Sequence, residues 1–139
     1  MNDADRDRIL DDARRVLLAA LPEVWAIYAF GSFARSEEWP RSDLDLGVLL
    51  PPDQQIPDLL GLTSELALRV GRDVDLVDLR TAGDTLRAEV LRDGRVLHVS
   101  RADAVLDWEA SAMSRHARHR EEIRELLEDF ERTGVGYAR

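Results

Sequence analysis

Ile9, Leu10, Ala13, Val16, Leu17 and Ala20 recur at the spacing of one helical face, charged residues fill the other positions, and the pattern stops before Pro22. A short apolar run from Val24 to Phe30, rich in aromatic and β-branched residues and closed by Gly31, reads as a buried strand. From Asp43 to Leu50 a carboxylate or glycine alternates with Leu44, Leu46, Val48 and Leu50 until Pro51-Pro52 breaks the run. That period of two is the clearest strand pattern in the chain. Pro57 opens a helix with Leu59, Leu62, Leu66 and Val70 along one side, and Gly71 is placed to cap its end. A third strand follows, in which Val74, Leu76 and Asp78 alternate with Asp73, Asp75 and Val77. A helix holding Leu86, Val90 and Leu91 then runs to Asp93-Gly94, and Arg95 to Val99 forms a fourth strand.

The remainder, from Ala102 to about Arg132, is one long helix or two. Val105, Trp108 and Ala112 make one apolar stripe there, Ile123, Leu126, Leu127 and Phe130 another, and Arg115 to Arg120 between them is polar nearly all round. Strand and helix patterns alternate without an internal repeat. The class is therefore α/β (or α+β), with a small sheet of about four strands covered by helices. We expect residues 1–100 to form the domain proper and 101–139 a helical segment packed on it, a single domain overall.

With 139 residues the chain has the length of one domain. A hydrophobic share of 45% against 34% charged is globular rather than disordered composition. Cysteine is absent, which excludes a disulfide framework, a cysteine-based zinc site and a cysteine nucleophile together. With no run near the roughly 18 apolar residues a membrane span needs, and an acidic first segment lacking a signal-peptide core, the expectation is a soluble, cytoplasmic protein. The net charge of −9 disfavours direct binding to nucleic acid or to an anionic membrane. All 19 basic residues are arginine, so lysine-dependent chemistry such as a P-loop or a Schiff base is excluded, while bidentate recognition of phosphate is retained.

Two chemical devices stand close together in residues 31–45. A strand ending in Gly31-Ser32 lets the backbone turn tightly into a helix start, where free N–H groups and the Ser32 hydroxyl can hold a phosphate. Ten residues further on, Asp43 and Asp45 lie two apart on a strand, so both carboxylates share one face while Leu44 and Leu46 enter the core. Two carboxylates so close call for a cation, and Mg²⁺, which binds one or two carboxylates together with phosphate oxygens, supplies it. A nucleoside triphosphate held at Gly31-Ser32, with metal on Asp43 and Asp45, presents its α-phosphorus to an attacking hydroxyl. A third carboxylate on a neighbouring strand would serve a second ion and accept the proton. Asp75 is the choice, with Asp73 on the same face as runner-up, and Asp78 in phase with the apolar residues as a strand-end residue. Arg35 is placed to steady a triphosphate or a partner's carboxylate.

Gly31, Ser32, Asp43 and Asp45, with their ten-residue interval, resemble the signature of the DNA polymerase β-like nucleotidyltransferase superfamily. Four such fixed residues arise by chance in about one chain in a thousand at ordinary residue frequencies. The wider blocks Phe30 to Arg35, Ser42 to Leu46 and Val74 to Leu79 are similar to the minimal nucleotidyltransferases, with a departure at Ser36, where that group usually has glycine. The resemblance spans residues 24 to 100. It implies a polymerase β-like fold with a mixed sheet, Mg²⁺ on Asp43, Asp45 and Asp75, and ATP bound with help from Gly31, Ser32, Arg35 and Ser42. It also implies an antitoxin of the type VII kind, which transfers AMP to a tyrosine of a partner HEPN ribonuclease toxin and so neutralises it. Two alternatives stand beside that function: a small-molecule nucleotidyltransferase of the aminoglycoside-modifying sort, and a non-catalytic antitoxin that occludes the toxin.

Other residues take plainer readings. His116 and His119 are three apart on a helix but lack a third ligand, and read as part of a solvent-facing basic patch. Trp25, Tyr28 and Phe30 read as core, and Tyr137 as part of a frayed tail.

Overall fold

The computed structural model describes residues 2–34, 43–56 and 58–133, with the backbone alone at 119, 120, 123, 130, 131 and 133. The elements run α1 (Asp3–Ala20), β1 (Ala26–Phe30), α2 (Gly31–Ala34), β2 (Leu44–Leu49), α3 (Leu59–Val70), β3 (Val74–Asp78), α4 (Asp84–Asp93), β4 (Arg95–Val99) and α5 (Ala102–Thr133). The strands form one mixed sheet in the order β3-β2-β1-β4. Strand β1 is antiparallel to β2 and β4, while β2 and β3 run parallel and are joined through α3.

Alternation along the strands sends two sets of side chains to opposite faces. Ile27, Ala29, Leu44, Leu46, Val48 and Leu76 meet Leu10, Ala13 and Leu17 of α1 and Leu62 and Leu66 of α3 in the larger core. Ala26, Tyr28, Phe30 and Leu49 meet Val90 of α4 and Val105 of α5 on the other face. Trp25, Tyr28 and Phe30 do pack as core. The Tyr28 ring lies 6.3 Å from that of Trp108, and its hydroxyl donates to Glu109 Oε1 at 3.3 Å.

The helix ends follow local chemistry. Asn2 caps α1 by accepting from the Asp5 N–H, and Asp58 caps α3 by accepting from the Gly61 N–H, each at 2.8 Å. Helix α3 thus starts at Leu59, one residue after this cap, while Pro57 lies outside the described residues. Gly71 closes α3 in the left-handed conformation at φ 73, as its position in the sequence predicts. Two arginines lock the connection after β3. Arg80 pairs with Asp78 at 2.8 Å and donates to the Pro51 and Gln54 carbonyls, while Arg87 donates to the Leu79 and Arg80 carbonyls. Burial raises the Asp78 carboxyl, but the hydrogen bonds and charge of Arg80 outweigh it and hold the group below the ordinary aspartate value. Asp78 is thus a strand-end residue occupied in structure, in line with its phase in the sequence.

Helix α5 is continuous through the polar stretch that divides its two apolar stripes. The first stripe is packed, with Val105 and Ala112 each 2% exposed, whereas Leu126 and Leu127 in the second are 44% and 60% exposed. No described helix is long and apolar enough to cross a membrane.

Candidate active site

The parallel register of β2 on β3 sets Asp45 directly beside Asp75, and the antiparallel register of β1 on β2 sets Phe30 beside Asp45. Cross-strand partners share a face of the sheet, so Asp45 and Asp75 both lie on the face covered by α4 and α5. Among the described residues, cover on this face thins toward one end. Along β2 it runs from half-buried Asp45 to buried Gly47 and Leu49, and along β3 from exposed Asp75 through half-buried Val77 to buried Leu79. The acids stand at the open end, where β1 passes into α2.

Gly31 makes that passage at φ 73, a left-handed conformation that residues with a Cβ adopt at a cost. A Cβ on Gly31 would stand 3.2 Å from Cγ of Asp45 and closer still to its Oδ2. The carboxylate therefore occupies the space that only glycine leaves, and the turn and the acid are built against each other. Ser32 follows half-buried in α2, which packs on β1, β2 and α4. Asp43 precedes β2 and is exposed, and Asp73 precedes β3, also exposed, its carbonyl accepting from the Leu44 N–H at 2.9 Å.

Among the sequence-predicted site residues, the structure brings Gly31, Asp45 and Asp75 together, with Ser32 and Asp43 adjacent to them along the chain. Arg35 and Ser42 lie outside the described residues, as does Tyr137. One flanking residue escaped the sequence reading. The Arg72 guanidinium sits 4.8 Å from the centre of the fully buried Phe33 ring, tying the loop before β3 to the turn that carries Ser32. Its only sequence trace is an arginine standing between a helix-capping glycine and Asp73.

The donor set suits a hard divalent cation, because Asp43, Asp45 and Asp75 offer carboxylate oxygens alone. Among the described residues no group of three histidine, aspartate or glutamate side chains, Asp43, Asp45 and Asp75 included, is placed to hold a metal ion. Mg²⁺ does not need one, since it takes one or two carboxylates and completes its shell with water and substrate phosphate.

A four-stranded mixed sheet with a glycine turn abutting paired aspartates is the arrangement of a known class. Residues 15–103 match the family described as Polymerase beta, Nucleotidyltransferase, and the chain belongs to that family. Among curated proteins, it is 33% identical over 89 residues to the Protein adenylyltransferase MntA of Shewanella oneidensis, a match covering 64% of either chain. It is also 39% identical over 79 residues to a Bifunctional uridylyltransferase/uridylyl-removing enzyme of Burkholderia mallei, covering 51% of this chain and 9% of that one. The chain thus spans less than two thirds of the length of these relatives. Among solved structures, a toxin–antitoxin crystallised with AMP-PNP contains a chain similar at TM-score 0.76 and 27% identity, over 88% of this chain and 98% of that one. A tri-AMPylated Shewanella oneidensis HEPN toxin in complex with MNT antitoxin gives TM-score 0.72 and 25% identity over 91% and 98%. The resemblance to the minimal nucleotidyltransferases drawn from the motif blocks is upheld.

Proposed function

We propose that the chain is a Mg²⁺-dependent adenylyltransferase that moves AMP from ATP onto a tyrosine of a partner HEPN ribonuclease and thereby acts as its antitoxin. The observation that carries this reading is the juxtaposition at the open end of the sheet, where Asp45 abuts Gly31 on one side and faces Asp75 on the other. The turn at Gly31-Ser32, with Arg35 and Ser42, holds the triphosphate, and glycine permits the close backbone approach that a phosphate requires. Asp43, Asp45 and Asp75 would hold the cation, which when bound offsets the triphosphate charge and acidifies the attacking hydroxyl. The tyrosine oxygen bonds to the α-phosphorus, the bond from that phosphorus to the bridging oxygen of the β-phosphate breaks, and pyrophosphate leaves. The phenolic proton passes to Asp75, whose exposure leaves it accessible to a macromolecular acceptor. The similar complexes, a toxin–antitoxin with AMP-PNP and a tri-AMPylated HEPN toxin with its MNT antitoxin, support both the nucleotide and the partner.

The test is to incubate the chain with labelled ATP, Mg²⁺ and the purified partner. Label on the partner, with loss of its ribonuclease activity, is expected from the native chain and not from Asp43→Asn/Asp45→Asn. If that variant still neutralises the toxin as well as the native chain, neutralisation is by occlusion. Label appearing on a small hydroxylated acceptor, with no binding to any toxin, places the chain among small-molecule nucleotidyltransferases.

A further inference from the structure

Helix α2 spans four residues, Gly31–Ala34, far short of the roughly 12–15 at which an isolated helix begins to hold itself together in water. Its placement is therefore set by what it packs on. Gly31 is keyed to β2 by the Asp45 carboxylate, and the helix packs chiefly on β1, β2 and α4. Phe33 sinks its ring, 0% exposed, into the larger core on the α1 and α3 side of the sheet. The Arg72 guanidinium stands 4.8 Å from the centre of that ring, within the roughly 6 Å over which an aromatic face attracts a cation.

The backbone that carries Arg72 is held on both sides. Before it, the Gly71 N–H donates to the Ala67 carbonyl at 2.9 Å and fixes the exit from α3. After it, the Asp73 carbonyl accepts from the Leu44 N–H at 2.9 Å and fixes the entry into β3. Two residues further on is Asp75, in register with Asp45. The Arg72 side chain thus joins the segment leading to Asp75 to the helix that carries Ser32. The ring it meets belongs to the core on one side of the sheet, whereas Asp45 and Asp75 lie on the opposite face. The guanidinium accordingly bears on the turn from behind, through the ring, and not on a triphosphate in front of the acids.

We infer that Arg72 is a positioning residue for nucleotidyl transfer: acting through the Phe33 ring, it holds the Gly31-Ser32 turn at the distance from Asp75 at which a bound triphosphate reacts. This rests on the nucleotidyl reading above and adds to it a second tie on the turn. Asp45 fixes the turn to β2 through the space at Gly31, and Arg72 fixes it to the chain entering β3. With the second tie gone, the phosphates are still gripped by the turn, but the α-phosphorus is displaced from the carboxylate that takes the acceptor's proton.

The test measures ATP affinity and the rate of label transfer at saturating ATP, using the full chain with Mg²⁺ and the purified partner, and circular dichroism melts to confirm that each variant is folded. Arg72→Met keeps an apolar stem against the ring and removes the charge. It should slow transfer about ten- to a hundredfold, the cost of a displacement of up to about 1 Å, and leave ATP affinity within about threefold of native. Arg72→Lys, which returns a cation to the ring, should recover most of the loss. Phe33→Leu should slow transfer similarly, and Arg72→Met combined with it should be no slower than the worse single change, because both remove one contact. Native transfer by Arg72→Met, a loss confined to ATP affinity, a lysine variant no better than the methionine one, or losses that multiply in the double variant overturn the inference. If Phe33→Leu does not fold, the comparison of Arg72→Met with Arg72→Lys decides alone. A native chain that transfers nothing overturns the nucleotidyl reading and this inference with it, whereas a native chain that transfers beside an unimpaired Arg72→Met overturns this inference only.

Discussion

Gly31 and Gly71 have the same backbone conformation, φ 73, and surroundings that differ completely. Among the described residues nothing lies within 4 Å of a Cβ placed on Gly71, whereas a Cβ on Gly31 would reach 3.2 Å from Cγ of Asp45 and 3.5 Å from its Cβ. Alanine at either position must adopt a left-handed conformation costing roughly 1–2 kcal/mol, partly offset by the lower entropy of its unfolded chain. The net loss is about 1 kcal/mol at each site, or roughly 3–5 °C in melting temperature for a domain of this size. At Gly31 the new methyl also displaces the carboxylate, and a shift on the order of 1 Å in a reacting group costs roughly a hundredfold in rate. Gly31→Ala and Gly71→Ala should therefore melt within a few degrees of each other. Nucleotidyl transfer, measured by release of labelled pyrophosphate, should fall about a hundredfold in the first and remain near native in the second. Equal activity in the two variants would refute the claim that Asp45 is placed by the space Gly31 leaves open. A collapse of Gly31→Ala stability well beyond that of Gly71→Ala would show that the carboxylate cannot yield, and that the contact is structural first.

Asp75→Asn should lower kcat by a factor on the order of 10²–10⁴ with a much smaller change in ATP affinity, and a loss confined to affinity would move Asp75 from proton acceptor to metal ligand alone. Burial, then the charge and hydrogen bond of Glu109, hold the Tyr28 phenol above its ordinary value. The neutral form is therefore favoured by folding, and its stability contribution is lost as pH rises past about 10. Tyr28→Phe should flatten the alkaline limb of a melting-temperature profile, and an unchanged limb counts against that assignment. For Asp78 the sign is reversed, since Arg80 holds its folded value low. Its contribution is present above about pH 4 and lost as pH falls through the folded value. Asp78→Asn should accordingly reduce acid sensitivity below about pH 4, which urea titrations at stepped pH will measure.

The elements were legible where a period persists. Alternation over residues 43–50 marks β2 and puts Asp43 and Asp45 in phase, and alternation over 73–78 does the same for β3 and Asp75. Register was not legible, because alternation says which residues share a face and nothing about which residue of the next strand lies opposite. The pairing of Asp45 with Asp75 depends on how α3 returns the chain to the sheet. Boundaries shifted where a local hydrogen bond decided them. The run from Val24 is strand only from Ala26, since the Val24 N–H turns back to the Leu21 carbonyl. Arg72, Arg80 and Arg87 carry no periodic mark, because a guanidinium that stacks on a ring or grips a backbone carbonyl is specified by three-dimensional proximity. Helix α5 spans its polar middle without a break because no Pro or Gly interrupts residues 102–133.

The two faces of the sheet divide stability from chemistry at the level of single residues. Leu44 and Leu46, on either side of Asp45, are both 0% exposed and anchored against α1 and α3. A strand held at alternate residues by a packed core has little freedom to slide or twist, so the residue between those anchors projects from the opposite face with its direction already set. The same logic holds on β3, where Leu76 at 6% exposure follows Asp75. On the chemical face, the packing of Leu49 and Leu79 ends before the acids are reached, and Gly31 admits the Asp45 carboxylate instead of covering it. The core behind the sheet thus holds the carboxylates in place, while the cover that the described residues give in front stops short of them, leaving Asp75 exposed and Asp45 half-buried.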